Sequence, residues 1–493
     1  MLKLFYKISD RVFAFTENPR VPLSYYLLTL FAVISLRNFL DIFSDTATAP
    51  FKLFSIHSAL YLPSNAGIII SLSHFYLFWF SILLTFALIY AGITKEEAGK
   101  PLRTICAFSG IILFTPLIDL IISSGKGIEQ SFIFPKNISE LLPLPPALNP
   151  GEKITIITSL LLTFAYCLGK THKLNKTLLA VLLGYAFNLT TLIPSFIITQ
   201  TVKLFSGDTE ALSVMVAVRV WIIYLFFVLS GLLYFKNRAY FKTLLKETGG
   251  PPEALSIVLI FILGGMLFRP DFLNFILANG ACFLLTVICA ILARLFLKML
   301  KNIAGPYEKP APQDMPLNTY KAIAGGLLVF ASICAIAVSA ATLFFLLLAT
   351  AVGAIYHLPP LKLKQIPFIS KACLSFMLLL LFILGWLFAG GEILKFPQVF
   401  SLYFLTFIAL GLNIADMDRL YVFGKERAKS IMGFLFLASY LVLPWLLLEK
   451  ALLIPSLIAG TTQFFLVRRD IKLRLVFWVY LITLAGLIIY LTF

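Results

Sequence analysis

The chain is 493 residues long, 60% hydrophobic and 13% charged, with a formal net charge of +17. That balance of apolar and charged residues excludes a water-soluble globular protein. The excess of cations is spread over alternate loops and forms no single patch, so it argues against a nucleic-acid binder as well.

Apolar runs long enough to cross a bilayer, about 20 residues each, recur along nearly the whole chain and predict about fifteen transmembrane helices. Lipid leaves no backbone hydrogen bond unmade, so these runs are read as helices and the fold class as all-α, polytopic and integral to the membrane. The amphipathic start, Met1 to Pro22, does not read as a cleavable signal peptide. Six spans follow at 22–43, 67–93, 104–122, 154–169, 177–199 and 213–235.

Three features of this first part carry charge within or beside apolar runs. Arg37 and Asp41 lie four residues apart, one helical turn, and so face one another as a candidate ion pair. Asp45 extends them to a DxxxD spacing. Asp119 and Arg219 are further intramembrane charges that could mark a polar cavity or pair with each other.

Residues 236–253, KNRAYFKTLLKETGGPPE, read as a basic linker closed by a Gly-Gly-Pro-Pro break. The predicted division is therefore a six-helix module of unknown function at 1–248 and a nine-helix module at 249–493. The nine spans fall at 254–268, 272–297, 321–338, 341–356, 371–389, 397–413, 430–448, 450–467 and 474–492.

With the N-terminus cytoplasmic, 30 of the 40 lysines and arginines fall on the cytoplasmic side, as the positive-inside rule requires. An odd number of spans then places the C-terminus on the opposite side. The six cysteines and four histidines are scattered, with no zinc, iron or redox spacing.

In the second module the loops 294–321, 357–371, 416–429 and 468–474 share the cytoplasmic side, which is what a site assembled from loops needs. Two of them carry motifs: YHLPPLKLKQIPF at 356–368, and NIADMDR at 413–419. Nine helices, a Tyr-x-x-Pro-Pro-Leu-Lys-Leu-Lys loop after the fourth, and an aspartate-bearing loop after the sixth resemble the UbiA superfamily of intramembrane prenyltransferases, over roughly residues 250–493.

The resemblance implies transfer of a prenyl group from an isoprenoid diphosphate to an aromatic or phosphosugar acceptor at the cytoplasmic face. It implies Mg²⁺ held by Asp416 and Asp418, the catalytic carboxylates, with Asn413 beside them. Mg²⁺ takes oxygen ligands from a few carboxylates plus phosphate oxygens, and neutralising the leaving diphosphate eases cleavage of the carbon–oxygen bond. The bilayer and the isoprenoid lipid are the implied partners. Diphosphate contacts fall to Lys362, Lys364, Arg419 and Tyr356.

The resemblance breaks at the first aspartate-rich loop. Aligned on Lys309-Pro310, this chain has Lys298, Lys301 and Gly305 where three aspartates belong, and Leu297 where an asparagine is usual. Cations in place of carboxylates reverse the sign of a metal site. Lys298 and Lys301, with Arg294, are then read as direct diphosphate contacts. The alternative is a non-catalytic relative that binds a lipid or a membrane partner.

Overall fold

The computed structural model describes residues 2–44, 64–126, 128, 148–192, 214–248, 251–304, 316–358, 362–363, 369–397, 425–446 and 453–468. Among them the regular structure is helical throughout, and eight helices are long and apolar enough to cross a membrane, or nine if one bent pair counts as a single span. The chain divides into two compact units, 1–241 and 242–493.

The first unit runs α1 (Leu2–Thr16), α2 (Leu23–Ser44), α3 (Ser64–Thr94), α4 (Gly99–Ala107), a 3₁₀ turn (Ser109–Leu113), α5 (Phe114–Ile122), α6 (Pro150–Thr171), α7 (Leu174–Leu192) and α8 (Val214–Lys236). The run read as one span at 104–122 is thus a helix broken midway. Its break is sealed by the Ser109 hydroxyl, which donates to the Cys106 carbonyl at 2.8 Å. The apolar core gathers around α3, where Phe86, Ala87, Tyr90 and Ala91 are buried against Tyr166 and Cys167 of α6 and Val228 and Leu232 of α8.

Between the two units the sequence reading needs one correction. Residues 238–247 form a helix, α9 (Arg238–Glu247), in place of an irregular linker. Leu244 is buried there while its basic neighbours stay outside, so the segment's apolar positions suffice to dock one face. The division falls within α9, between Phe241 and Lys242. The Gly-Gly-Pro-Pro sequence places its prolines in the first turn of the next helix, where a missing N–H costs nothing.

The second unit continues with α10 (Pro251–Phe268), α11 (Phe272–Ala278), α12 (Gly280–Ala304), α13 (Leu317–Val338), α14 (Ala340–His357), α15 (Ile369–Phe388), α16 (Lys425–Leu446) and α17 (Leu453–Arg468). The span read at 272–297 is here two elements. α11 is bent 112° from α10 at Arg269–Asp271, and a second break at Asn279 precedes α12, which runs seven residues past the expected end at 297.

Helices α10 and α15 touch backbone to backbone. A Cβ at Gly264 would overlap the carbonyl oxygen of Phe382, and one at Gly385 would overlap that of Phe261. Small residues at a crossing let helices approach this closely in lipid, where hydrophobic association is weak and packing has to supply the attraction. Phe261, Phe272, Phe382 and Trp386 fill the core around the crossing.

Helices α13 and α14 are joined by Ser339 alone, whose hydroxyl accepts from Thr342 N–H at 3.1 Å and so caps α14.

Candidate functional site

The candidate site is the end of the second unit where α12 and α14 finish and α13 begins. Arg294, Lys298 and Lys301 recur at intervals of four and three residues, so they share one side of α12. Arg294 and Lys298 are half-buried and Lys301 is exposed. Like charges on one stripe repel, and Lys298 lies in the fields of both Arg294 and Lys301. The carboxylate of Glu247, at the end of α9, acts on Lys298 with the opposite sign.

Neighbouring residues lock this end in place. Asn302 donates its amide N–H to the Tyr320 hydroxyl at 3.0 Å, tying the last turn of α12 to the first of α13. Tyr320 is fully buried. Gly353 of α14 sits against Leu297, so close that a Cβ would overlap the leucine side chain. The chain reverses between α12 and α13 and again at Ser339, so α12 and α14 run the same way. Tyr356 and His357, at the last turn of α14, therefore lie at the same end of the unit as Lys298 and Lys301.

Beyond α14 the backbone N–H of Leu358 bonds the Ala354 carbonyl, and that of Lys362 bonds the Leu358 carbonyl at 2.9 Å. Lys362 has φ 41°, a left-handed conformation that a residue with a Cβ adopts at a cost of about 1–2 kcal/mol.

Of the residues singled out by sequence, the structure therefore brings the α12 cations Lys298 and Lys301 to one end with Tyr356. Lys298 and Lys301 belong to a helix and not to a loop, because lysine is a good helix former even where hydropathy falls. Asn413, Asp416, Asp418, Arg419 and Lys364 lie outside the described residues, as do Asp45 and the side chain of Asp41. Among the described residues no three His, Cys, Asp or Glu side chains gather as a metal set. The α12 stripe presents ammonium and guanidinium groups, which repel Mg²⁺ and suit phosphate oxygens.

Glu247, Asn302 and Tyr320 were not among the sequence-derived candidates. Their participation depends on which helices adjoin, and no local spacing announces it.

The first unit holds its own buried polar groups. Asp119 is buried and accepts from the Gly151 backbone N–H at 2.9 Å and from the Asn149 side chain, within the field of Arg37. The cation beside Asp119 is thus Arg37, where the sequence had offered Arg219. The Arg37 guanidinium lies over the Trp79 ring, 5.0 Å from its centroid. At the other end of α6, Glu17 accepts from the Tyr166 hydroxyl at 2.9 Å and from the Lys170 ammonium at 2.6 Å.

Between these ends α6 carries a polar stripe, Glu152, Thr155, Ser159, Thr163, Tyr166 and Lys170, each three or four residues from the last. Thr155 bonds Thr115 at 2.8 Å, Ser159 accepts from Asn188 at 3.3 Å, and Thr163 bonds Tyr90 at 3.1 Å. The sequence reading does not single out this stripe, although its three- and four-residue polar period inside an apolar run is the signal that marks it.

The helices and their apolar exteriors define a multi-pass membrane protein with a row of cations at one end of its second unit. No family model, no curated protein and no solved structure matches the chain.

Proposed function

We propose that the second unit is a UbiA-like, nine-helix membrane module that takes the diphosphate head of an isoprenoid lipid at its cytoplasmic end, within a chain of about fifteen spans. The observation that carries this reading is the Arg294, Lys298 and Lys301 stripe, three cations on one side of the end of an apolar helix, two of them half-buried and the third exposed. A lipid with a charged head and an apolar tail satisfies both parts of that environment. Tyr356, in the last turn of α14, and Lys362, beyond its end, are assigned to the same head.

The reaction proposed is prenyl transfer. The carbon–oxygen bond of the allylic diphosphate breaks, its electron pair leaves on the diphosphate, and the allylic cation alkylates an aromatic or phosphosugar acceptor, which loses a proton. Lys298 and Lys301 hold the leaving diphosphate directly, and the apolar helices keep water from the cation. A metal does not fit the α12 position, and no step is assigned to one there. Asp416, Asp418 and Asn413 have the oxygen donors that Mg²⁺ prefers and, by the resemblance, are the residues that would hold it.

The same replacement of carboxylates by cations favours a second reading, a lipid binder without catalysis. Purified protein incubated with radiolabelled farnesyl or geranylgeranyl diphosphate and Mg²⁺ separates the two. Prenyl transfer requires label release as inorganic diphosphate or transfer to an acceptor, reduced at least tenfold in Asp416→Asn. Retained binding that falls in Lys298→Ala, with no turnover, leaves the binder. Absence of binding to either lipid removes both.

A further inference from the structure

The first helix of the chain has two unlike faces, only one of which is covered among the described residues. Ser9, Phe13 and Thr16 are buried against the rest of the first unit. Leu4, Ile8, Val12 and Phe15 are 63, 54, 39 and 81% exposed. Spaced by four, four and three residues, these four side chains form a stripe about 80° wide at 100° per residue. Lys7 and Arg11, both exposed, border the stripe along one edge.

Contacts of the covered face fix how α1 lies. The Tyr6 ring meets the His172 ring at 4.5 Å, Ser9 abuts Gly169, Phe13 meets Tyr166 edge-on at 5.0 Å, and Glu17, just past the helix, pairs with Lys170. Those partners extend over eleven residues from Tyr6, about 16 Å of helix, but over only six residues of α6, about 9 Å. So α1 crosses the end of α6 obliquely and does not run alongside it.

Helix α6 is a candidate membrane span with Ile154, Ile157 and Leu161 on its exposed side. It ends at Thr171, with His172 left-handed at φ 51°, followed by exposed Lys173. On its other flank α1 leads through Pro19 and Pro22 into α2, another candidate span, whose first turns expose Tyr25 and Leu28. Helix α1 is thereby held where two spans leave the bilayer. It is 15 residues long, too short to cross, and interrupted by charge.

We infer that α1 is an interfacial helix seated on an anionic lipid leaflet. Leu4, Ile8, Val12 and Phe15 enter the boundary between headgroups and acyl chains, and Lys7 and Arg11 meet lipid phosphates at its edge. The apolar stripe continues the lipid-facing surface of α2 and α6, and the adjoining cations match negative headgroups. A protein partner would have to leave the apolar stripe dry at the level where lipid begins.

The test uses the full chain in nanodiscs, with Cys282 and Cys373, the two partly exposed cysteines, replaced by alanine. A nitroxide is attached at Ile8→Cys or, as reference, at Asp10→Cys, an exposed position off the stripe. In discs containing phosphatidylglycerol, the Ile8 label is expected to be several-fold more accessible to oxygen than to a water-soluble nickel chelate, and the Asp10 label to show the reverse.

In discs of phosphatidylcholine alone, nickel access at Ile8 is expected to rise. The double variant Lys7→Glu/Arg11→Glu should abolish that dependence on lipid charge. Equal nickel access at both positions in anionic discs overturns the inference. So does a label at Ile8 that is immobilised and shielded from both reagents, which would mean that protein covers the stripe. Indifference to lipid charge overturns the assignment of an anionic surface.

Discussion

The two units use buried polar groups in opposite ways. In the first, Asp119 and Glu17 are enclosed by donors that the unit itself supplies, Gly151 and Asn149 for one, Tyr166 and Lys170 for the other. In the second, Arg294, Lys298 and Lys301 crowd one side of α12 against the field of Glu247. Enclosed pairs hold a bundle together, whereas a row of like charges at a helix end sets up a field that draws in the opposite charge. The comparison teaches that charge inside a membrane protein marks a site by its arrangement, like charges lined up on one face, and not by being present.

The largest effect expected is on an apolar contact of the second unit. Gly264→Val drives a branched side chain into the Phe382 carbonyl and should cost about 3 kcal/mol or more, read as aggregation or a collapsed melting transition in detergent. A variant that melts like the wild type would show that the α10–α15 contact is not what holds this unit together.

Next comes Glu17→Ala, which leaves the Tyr166 hydroxyl without its acceptor and the Lys170 ammonium without its carboxylate. About 3 kcal/mol of destabilisation is expected from thermal unfolding of the full chain. Asp119→Asn is milder, about 1–2 kcal/mol, because the amide oxygen still accepts from Gly151. If either loss is within 0.5 kcal/mol, roughly the scatter of neutral surface changes, the first unit's polar groups are not structural.

Smallest in stability is Lys301→Ala, exposed at the end of α12, with a shift below about 0.5 kcal/mol. Its effect belongs to binding: affinity for a radiolabelled prenyl diphosphate should fall about tenfold, or 1.4 kcal/mol. A melting shift as large as that of Glu17→Ala would make Lys301 part of the scaffold and erase the contrast between the units.

Spans such as α3, α6, α13 and α14 were legible because lipid imposes length and apolarity on any segment that crosses it. Breaks inside a run were not, since hydropathy counts apolar residues without regard to direction. Arg269-Pro270-Asp271 reads as the gap between two spans, and α10 does end at Phe268, but Asn279-Gly280, a turn signal at the other end of α11, lies inside a run that reads as one span. The α12 cations were visible as residue types, while the Asn302–Tyr320 tie depends on how two helices pack. The Glu17–Lys170 pair joins residues 153 apart and could not be read from any local window.

Gly264 and Gly385 interlock across 121 intervening steps of the chain, from 264 to 385. A ribosome adding about 5–20 residues per second makes the second partner some 6–24 s after the first. During that interval α10 has its glycine cleft open, and lipid or an insertion chaperone must fill it. Biosynthesis of this protein therefore includes a waiting step, in which an early helix keeps its place until a late one arrives to close the bundle.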